Sequence, residues 1–246
     1  MDRRPAAWAL IVLALAGAGC DSDSITAPGG PAICEGYPDW QGSPYLLPYP
    51  VGAAYLVSTA NCDGGHIGPN KYGYDFAMPI GAPITAMRGG TVVLVDERFS
   101  NDDRGQGTSN WLIVDHGDGT YSTYFHMTRN GIVVERGETV RQGQLVAFSG
   151  SSGTGRPHVH VHVKPCQENS VFCLSTPFQF GNADPPPSPT GLEPGVVYTA
   201  LPYAGSPGGL RAPVGGAGKP VTAPGEPAPT PTLGRDPKDR PPRPPR

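Results

Sequence analysis

Short runs of apolar and β-branched residues, separated by glycine-containing turns, dominate the chain between about residues 33 and 183. Runs of this length and composition predict β-strands, and no window shows the sustained period of an amphipathic helix. The predicted strands are Thr91–Asp96, Trp111–Asp115, Thr120–Phe125, Ile132–Val134, Gln144–Phe148 and His158–Val163. The pattern therefore predicts an all-β domain with antiparallel strands, arranged as a sheet, a small barrel or a sandwich.

One connection between predicted strands carries a clear turn signal. The segment His116-Gly-Asp-Gly-Thr120 contains an Asp-Gly pair, which suits the positive φ angles of a tight hairpin turn. We therefore expect the strands on either side of it to form a hairpin, with His116 as a structural turn residue.

The two ends of the chain differ in composition from the predicted domain. Residues 1–20 combine Arg3 and Arg4 with an apolar run that ends in small residues and Cys20, which predicts an export signal. Residues 21–32 are small and polar, as in a flexible tether. Proline, glycine and alanine dominate residues 184–246, which predicts a largely disordered tail. Its one apolar patch, Val196–Tyr203, is a candidate for an added strand.

Composition limits both the folded part and the classes of partner. The chain holds 35 glycines and 31 prolines and is 37% hydrophobic, so part of it cannot bury enough apolar surface to fold, and one domain is favoured. A net charge of −3 and a pI of about 6.0 give no broad positive field. Nucleic acid is therefore not a predicted partner.

Apart from Cys20, the chain has four cysteines, an even number in a protein predicted to reach an oxidising compartment. Three disulfide pairings are possible. We favour Cys34 with Cys62 and Cys166 with Cys173, because each pair flanks a loop-rich stretch. A zinc site built from these thiols is not favoured, since no two cysteines have the spacing typical of such sites.

Three of the six histidines, His158, His160 and His162, alternate with valine in one predicted strand. The two-residue period of a strand places all three imidazoles on one face. Neutral imidazole is a good zinc ligand, so this face can supply both a metal ligand and a catalytic group. A polar strand face that only forms hydrogen bonds has the same pattern, and the strand alone does not separate the two interpretations.

Further blocks of sequence surround this strand in a fixed order. They are Gly73–Ala86 with Gly90–Val93, Val114–His126, Val133–Gln144, Ser149–Gly150 and Pro157–His160. In this order, from about residue 55 to about residue 165, the chain resembles the lysostaphin-type zinc endopeptidases, which cut peptide bonds in bacterial peptidoglycan. The common order of the blocks is more specific than any one of them.

The resemblance implies one Zn²⁺ held by His66, Asp75 and His160, with His126 and His158 as catalytic histidines that do not bind the metal. Two histidines and one carboxylate leave a coordination position for water, which a catalytic zinc needs. The implied activity is hydrolysis of peptide stems or cross-links of peptidoglycan. The alternative is an inactive relative that binds wall peptide or activates another wall hydrolase.

The chain departs from the family pattern at two positions near these residues. Lys71 stands where the commonest spacing has the first histidine, whereas His66 is separated from Asp75 by eight residues, as in a longer-spaced branch. His162 stands where members usually carry glutamate. We expect it to form an outer hydrogen bond to a ligand rather than to bind the metal itself.

The segment Leu15–Cys20 is similar to a bacterial lipoprotein signal, in which Cys20 becomes a lipid-bearing N-terminus. Gly17 stands where that pattern has an aliphatic residue, so cleavage without lipid attachment also remains open. The expected location is the cell envelope. The expected partners are peptidoglycan peptide and, through lipid on Cys20, a membrane; the sequence does not decide the oligomeric state.

Overall fold

The computed structural model describes residues 34–105, 107–166 and 173–206. The predicted export signal with Cys20, the predicted tether through residue 32 and the tail from residue 207 onward lie outside the described residues. In the described ranges, no helix has the length and apolar character needed to cross a membrane.

The described residues form an almost all-β fold, which confirms the predicted class. Short 3-10 turns occur at Trp40–Gly42 and Gly68–Asn70. The strands are β1 Ala54–Thr59, β2 Tyr74–Ala77, β3 Pro83–Thr85, β4 Gly90–Asp96, β5 Trp111–Asp115, β6 Tyr121–Phe125, β7 Met127–Ile132, β8 Thr139–Val140, β9 Leu145–Ser149, β10 Val159–Lys164, β11 Ala183–Asp184 and β12 Val197–Ala200.

These strands pair as two antiparallel sheets. The larger sheet has nine strands in the order β11-β12-β1-β2-β10-β6-β5-β4-β8, and the smaller has three in the order β3-β9-β7. The histidine-rich strand β10 lies between β2 and β6, so it has a hydrogen-bonded neighbour on each side. Central placement fixes its register, and with it the positions of its side chains.

Strand β10 is buried on both faces. Val159, Val161 and Val163 are at most 1% exposed and join the main hydrophobic core. Complete burial of a valine side chain contributes about 1.5–3 kcal/mol. The valine face therefore holds the strand in place, while the opposite face carries the histidines.

Five of the six strands predicted from sequence have ends within one residue of the observed bounds. The exception is Ile132–Val134, of which only Ile132 belongs to a strand, the last residue of β7. Val133 still donates a backbone hydrogen bond to Val146, at 2.9 Å, but the chain then leaves the sheet. An apolar run of three residues was too short to distinguish a strand from a single bridging contact.

The larger sheet also takes in residues that the sequence placed in the tail. Strand β12 pairs with β1, where Tyr55 lies opposite Tyr198, and β11 pairs with β12. The boundary predicted at residue 183 therefore falls inside β11. The apolar patch Val196–Tyr203 supplies β12, and the described part of the domain continues to Ser206.

Disulfides join Cys34 to Cys62 and Cys166 to Cys173, which confirms the favoured pairing. Cys62 begins the loop between β1 and β2, and its backbone N–H donates to the carbonyl of Lys71 at 2.7 Å. The first disulfide and this hydrogen bond together tie down the base of a loop that carries His66.

The predicted hairpin joins β5 to β6. Gly117 and Gly119 adopt φ angles of 76° and 86° in the turn, which glycine accepts without steric cost. The ring of His116 donates from Nδ1 to the carbonyl of Gly89 at 2.9 Å and accepts at Nε2 from the Ser122 hydroxyl at 2.8 Å. His116 therefore has the structural role that its place in the turn predicted.

Candidate metal centre

Three side chains from separate segments bring one nitrogen or oxygen atom each to a common point. His160 on β10 and Asp75 on β2 are cross-strand partners, and His160 Nδ1 lies 2.8 Å from Asp75 Oδ1. His66 reaches the same place from the loop before β2. Its Nε2 lies 3.0 Å from Asp75 Oδ1 and 3.1 Å from His160 Nδ1.

The orientation of His66 is set by a backbone contact. Its Nδ1 lies 2.7 Å from the carbonyl oxygen of Ala60, which can only accept, so Nδ1 carries the proton and Nε2 presents a lone pair. That lone pair faces Asp75 Oδ1, which is also an acceptor. Two facing acceptors repel each other unless a proton or a metal ion lies between them, so this geometry fits a metal ion.

The electrostatics of the three groups agree with that interpretation. Burial alone would raise the pKa of Asp75, but His160 and His66 beside it hold the pKa well below its ordinary value, so the group is an anion. Burial lowers the pKa of His160 and favours its neutral form. Burial also acts to lower the pKa of His66, yet the Asp75 carboxylate outweighs it and raises that pKa. A divalent cation would replace the proton that His66 and Asp75 otherwise compete for.

The donor set also fits Zn²⁺ in its chemistry and spacing. Imidazole nitrogen and carboxylate oxygen are both ordinary zinc ligands, with bonds of about 2.0–2.2 Å that place tetrahedral donors roughly 3.3 Å apart. The separations of 2.8–3.1 Å observed here are close to that value. Small outward movements of the side chains would complete the geometry.

Two more histidines line the same groove. Nε2 of His158 lies 3.7 Å from Asp75 Oδ2, and the ring centroids of His126 and His158 are 4.5 Å apart. Nδ1 of His158 donates to the carbonyl of Arg156, and Nδ1 of His126 donates to that of Ser152, both at 2.8 Å. Main-chain carbonyls thus fix both protons on Nδ1 and leave each Nε2 as an acceptor. Burial, aided by the neighbouring histidines, lowers the pKa of His126 to about 3.

The backbone at His126 explains how its ring reaches the groove. Strict alternation along β6 would place His126 on the face opposite Phe125, yet both side chains line the groove. His126 has a φ of 69°, in the left-handed region that non-glycine residues seldom occupy. This turn of the backbone redirects the ring, and unusual backbone conformations of this kind cluster at functional sites.

Sequence reasoning missed the residues that support His126. The fully buried Asn110 donates from its amide to the carbonyls of Phe99 and Met127 at 2.7 and 2.8 Å. Its backbone N–H donates to the Ser152 hydroxyl at 3.0 Å. Asn110 therefore fastens the segment before β5 to the start of β7, next to the catalytic candidate. No local pattern around a single asparagine indicated this role.

The histidines and Asp75 open into a groove of about 390 Å³. Its lining includes four glycines and one partly exposed aromatic ring: Gly65, Gly105, Gly107, Gly153 and Phe125. Glycine leaves room for another backbone to approach closely. An open cleft of this kind can accept an extended peptide beside the five polar side chains.

Lys71 and His162, the two residues that depart from the family pattern, are not among the three side chains that converge on the metal position. The Lys71 ammonium lies 5.1 Å from the centroid of the Tyr72 ring, a cation–π contact. His162 lies behind His160, with its Nδ1 2.9 Å from His160 Nε2. The structure thus groups His66 with Asp75 and His160, and leaves Lys71 and His162 out of the donor set.

Gly73 packs directly against the proposed ligand His160. A Cβ atom at this position would lie 2.5 Å from His160 Cε1 and 3.1 Å from the carbonyl oxygen of Asn70. We expect Gly73→Ala to displace the His160 ring and weaken zinc binding at least about tenfold, the scale of effect seen when a ligand loses its orientation. Competition with a chromophoric chelator measures the affinity, and circular dichroism checks the fold.

Gly42→Ala is the matched control for that change, because no atom lies within 4 Å of the added methyl group. It should leave zinc affinity unchanged. Wild-type affinity in Gly73→Ala would contradict the placement of His160 as a ligand.

Comparisons with known proteins agree with this geometry. Residues 69–171 match the model of Peptidase family M23. Peptidoglycan DD-endopeptidase ShyB of Vibrio cholerae is 32% identical over 124 residues, which cover 47% of this chain and 26% of ShyB. Lysostaphin of Staphylococcus simulans is 32% identical over 118 residues, covering 47% of this chain and 22% of lysostaphin.

Coverage of these relatives is partial, since the chain spans only about a quarter of the length of the curated relatives it matches. A solved zinc-containing peptidase from Vibrio cholerae shares 28% identity over 49% of this chain and 37% of its own, with a TM-score of 0.38. The family match and the sequence relatives agree on one region: residues 69–171 match peptidase family M23, and this region is similar to the lysostaphin-type endopeptidases.

Proposed function

We propose that the chain is a zinc-dependent endopeptidase that hydrolyses peptide stems or cross-links of bacterial peptidoglycan. The observation that carries this proposal is the convergence of His66, Asp75 and His160 in a groove that also holds two histidines, each with its Nδ1 bonded to a backbone carbonyl. ShyB is a peptidoglycan endopeptidase, and both ShyB and lysostaphin are similar in sequence to this chain. This similarity supports peptidoglycan as the substrate class.

His66, Asp75 and His160 would hold the metal. When bound, zinc lowers the pKa of a coordinated water toward neutrality and polarises a carbonyl group. The carboxylate offsets one of the two charges of the ion. A metal ion held by three protein ligands would keep a coordination position for water, as catalytic rather than structural zinc sites do.

The two remaining histidines would carry the proton. In the tautomer that its Nδ1 contact with a backbone carbonyl favours, each ring presents a lone pair on Nε2, so either ring can take the proton of the attacking water as its oxygen bonds to the peptide carbon. A ring that has gained this proton can hydrogen-bond the developing negative charge on the carbonyl oxygen. The same proton then passes to the leaving nitrogen as the carbon–nitrogen bond breaks.

The competing function is that of an inactive relative that binds wall peptide or activates another wall hydrolase. Such a protein has no need for a complete donor set, and loss of a ligand would mark it. Here all five positions are filled, and backbone carbonyls orient three of the side chains, those of His66, His126 and His158. This completeness favours the enzyme.

We further propose that the protein acts in the cell envelope. The export signal predicted over residues 1–20 supports this location, and lipid on Cys20 would tether the domain to a membrane. The two disulfides are typical of proteins that fold in an oxidising compartment.

Zinc analysis and wall digestion test the proposal together. The chain without residues 1–20 is expected to retain one zinc and to release new amino groups from purified peptidoglycan. A chelator should stop the release and added zinc should restore it. Deletion of residues 207–246, outside the described sheet, should leave digestion intact. Zinc-loaded protein that binds walls of several chemotypes without cutting them would support the inactive relative instead.

A further inference from the structure

His162 is completely buried and, among the described residues, makes one hydrogen bond, to a proposed metal ligand. Its Nδ1 lies 2.9 Å from His160 Nε2, and the Phe125 ring packs beside it with centroids 5.5 Å apart. Its other nitrogen, Nε2, is buried and has no hydrogen-bond partner among the described residues. A buried imidazole with one unused nitrogen calls for an explanation, because unpaired buried polar atoms are uncommon.

The contact between His160 and His162 allows two arrangements of protons when both rings are neutral. In the first, His162 Nδ1 donates to His160 Nε2, and His160 Nδ1 donates to Asp75 Oδ1, 2.8 Å away. Every ring N–H then has an acceptor. His160 Nδ1 has no lone pair free in this arrangement, so it cannot bind a metal ion.

In the second arrangement both protons move to the opposite nitrogens. His160 Nε2 donates to His162 Nδ1, and His160 Nδ1 presents its lone pair toward Asp75 and His66. The metal position is then open. The proton of His162 must lie on Nε2, where it has no acceptor among the described residues, so this arrangement carries the cost of an unpaired buried donor.

We propose that His162 is a positioning residue that selects the metal-binding form of His160. It accepts the His160 Nε2 proton through Nδ1, and zinc binding shifts the pair from the first arrangement to the second without a net change in bound protons on the two rings. This inference rests on the proposed zinc site. His162 would be a hydrogen-bond partner of the ligand His160 and not a ligand itself. Loss of such a partner commonly weakens metal binding 10- to 100-fold.

Two nearly isosteric variants separate hydrogen bonding from packing. His162→Asn keeps an acceptor close to the position of Nδ1, whereas His162→Leu has a similar volume and no acceptor. We expect His162→Leu to weaken zinc binding at least about tenfold and His162→Asn to stay within about threefold of wild type. Competition with a chromophoric chelator measures affinity, and thermal unfolding of the zinc-free proteins compares their stability.

Nitrogen NMR of the wild-type full chain supplies a measurement that needs no variant. The spectrum of His160 should show the proton on Nδ1 without zinc and on Nε2 with zinc. The same tautomer in both states overturns the proton shift, and equal zinc affinity in the Leu and Asn variants overturns the positioning role. If the wild-type chain binds no zinc, the proposed function itself fails; if wild type binds zinc and His162→Leu binds it equally well, only this inference fails.

Discussion

Replacing His160 by alanine is expected to abolish both zinc retention and peptidoglycan cleavage. His160 Nδ1 lies within 3.1 Å of both other donor atoms, and its removal leaves only two of the three ligands, His66 and Asp75. Loss of a residue that only hydrogen-bonds to a metal ligand weakens binding by up to about 100-fold. Because His160 is itself a proposed ligand, we expect its loss to weaken zinc binding by more than that. Metal analysis after dialysis and release of amino groups from purified walls measure the two losses.

His116→Ala is the control for the loss of a histidine outside the groove. The ring of His116 bonds to Gly89 and Ser122 in the hairpin, so its loss should lower the free energy of unfolding by about 1–3 kcal/mol. Zinc content and cleavage by the folded protein should remain. A His160→Ala protein that still holds one zinc would refute the proposed ligand set.

Replacing His126 by alanine should separate cleavage from metal binding. The ring is not one of the three converging donors, and its centroid lies 6.4 Å from that of His160. We expect one zinc to remain while cleavage falls about 10²- to 10⁴-fold, the usual contribution of a positioned acid or base. Turnover of a peptidoglycan fragment, compared with zinc content in the same preparation, measures the separation. Joint loss of zinc and activity would instead give His126 a role in holding the metal.

The lowered pKa of His126 adds a test by pH. In the unfolded chain a histidine has a pKa of about 6.5, whereas the pKa of His126 in the folded protein is about 3. Between these values the unfolded state binds the proton and the folded state does not, so this residue makes the protein less stable as pH falls through that window. In zinc-free protein, His126→Ala should therefore flatten the decrease in unfolding free energy between neutral and acidic pH, as urea titrations would show.

The strand that carries the site was predictable because its pattern is local. His158, His160 and His162 alternate with valine, and alternation in a strand fixes the face of each side chain. The meeting of Asp75 with His160 depends on the pairing of β2 with β10, two segments separated by more than eighty residues. Only the resemblance to a family placed these two residues together, since composition and period say nothing about which strands become neighbours.

Other features depended on interactions that no single segment displays. Strand β12 is four residues long within a stretch rich in proline and glycine, and its order comes from pairing with β1. The left-handed backbone at His126 reverses the face that alternation predicts. His66 reaches the site through a loop whose path is set by Ala60 and the disulfide at Cys62. Each case reflects a long-range contact that overrides the local pattern.

The disulfide between Cys34 and Cys62 also affects when the protein can hold His66 in position for metal binding. His66 lies on the loop that begins at this disulfide, and a cross-link at the base of a loop reduces the conformations open to the chain. A newly made chain in a reducing compartment lacks that restraint and holds His66 in place for a smaller share of the time. Formation of the disulfide would then act as a maturation step that raises the metal affinity of the proposed site.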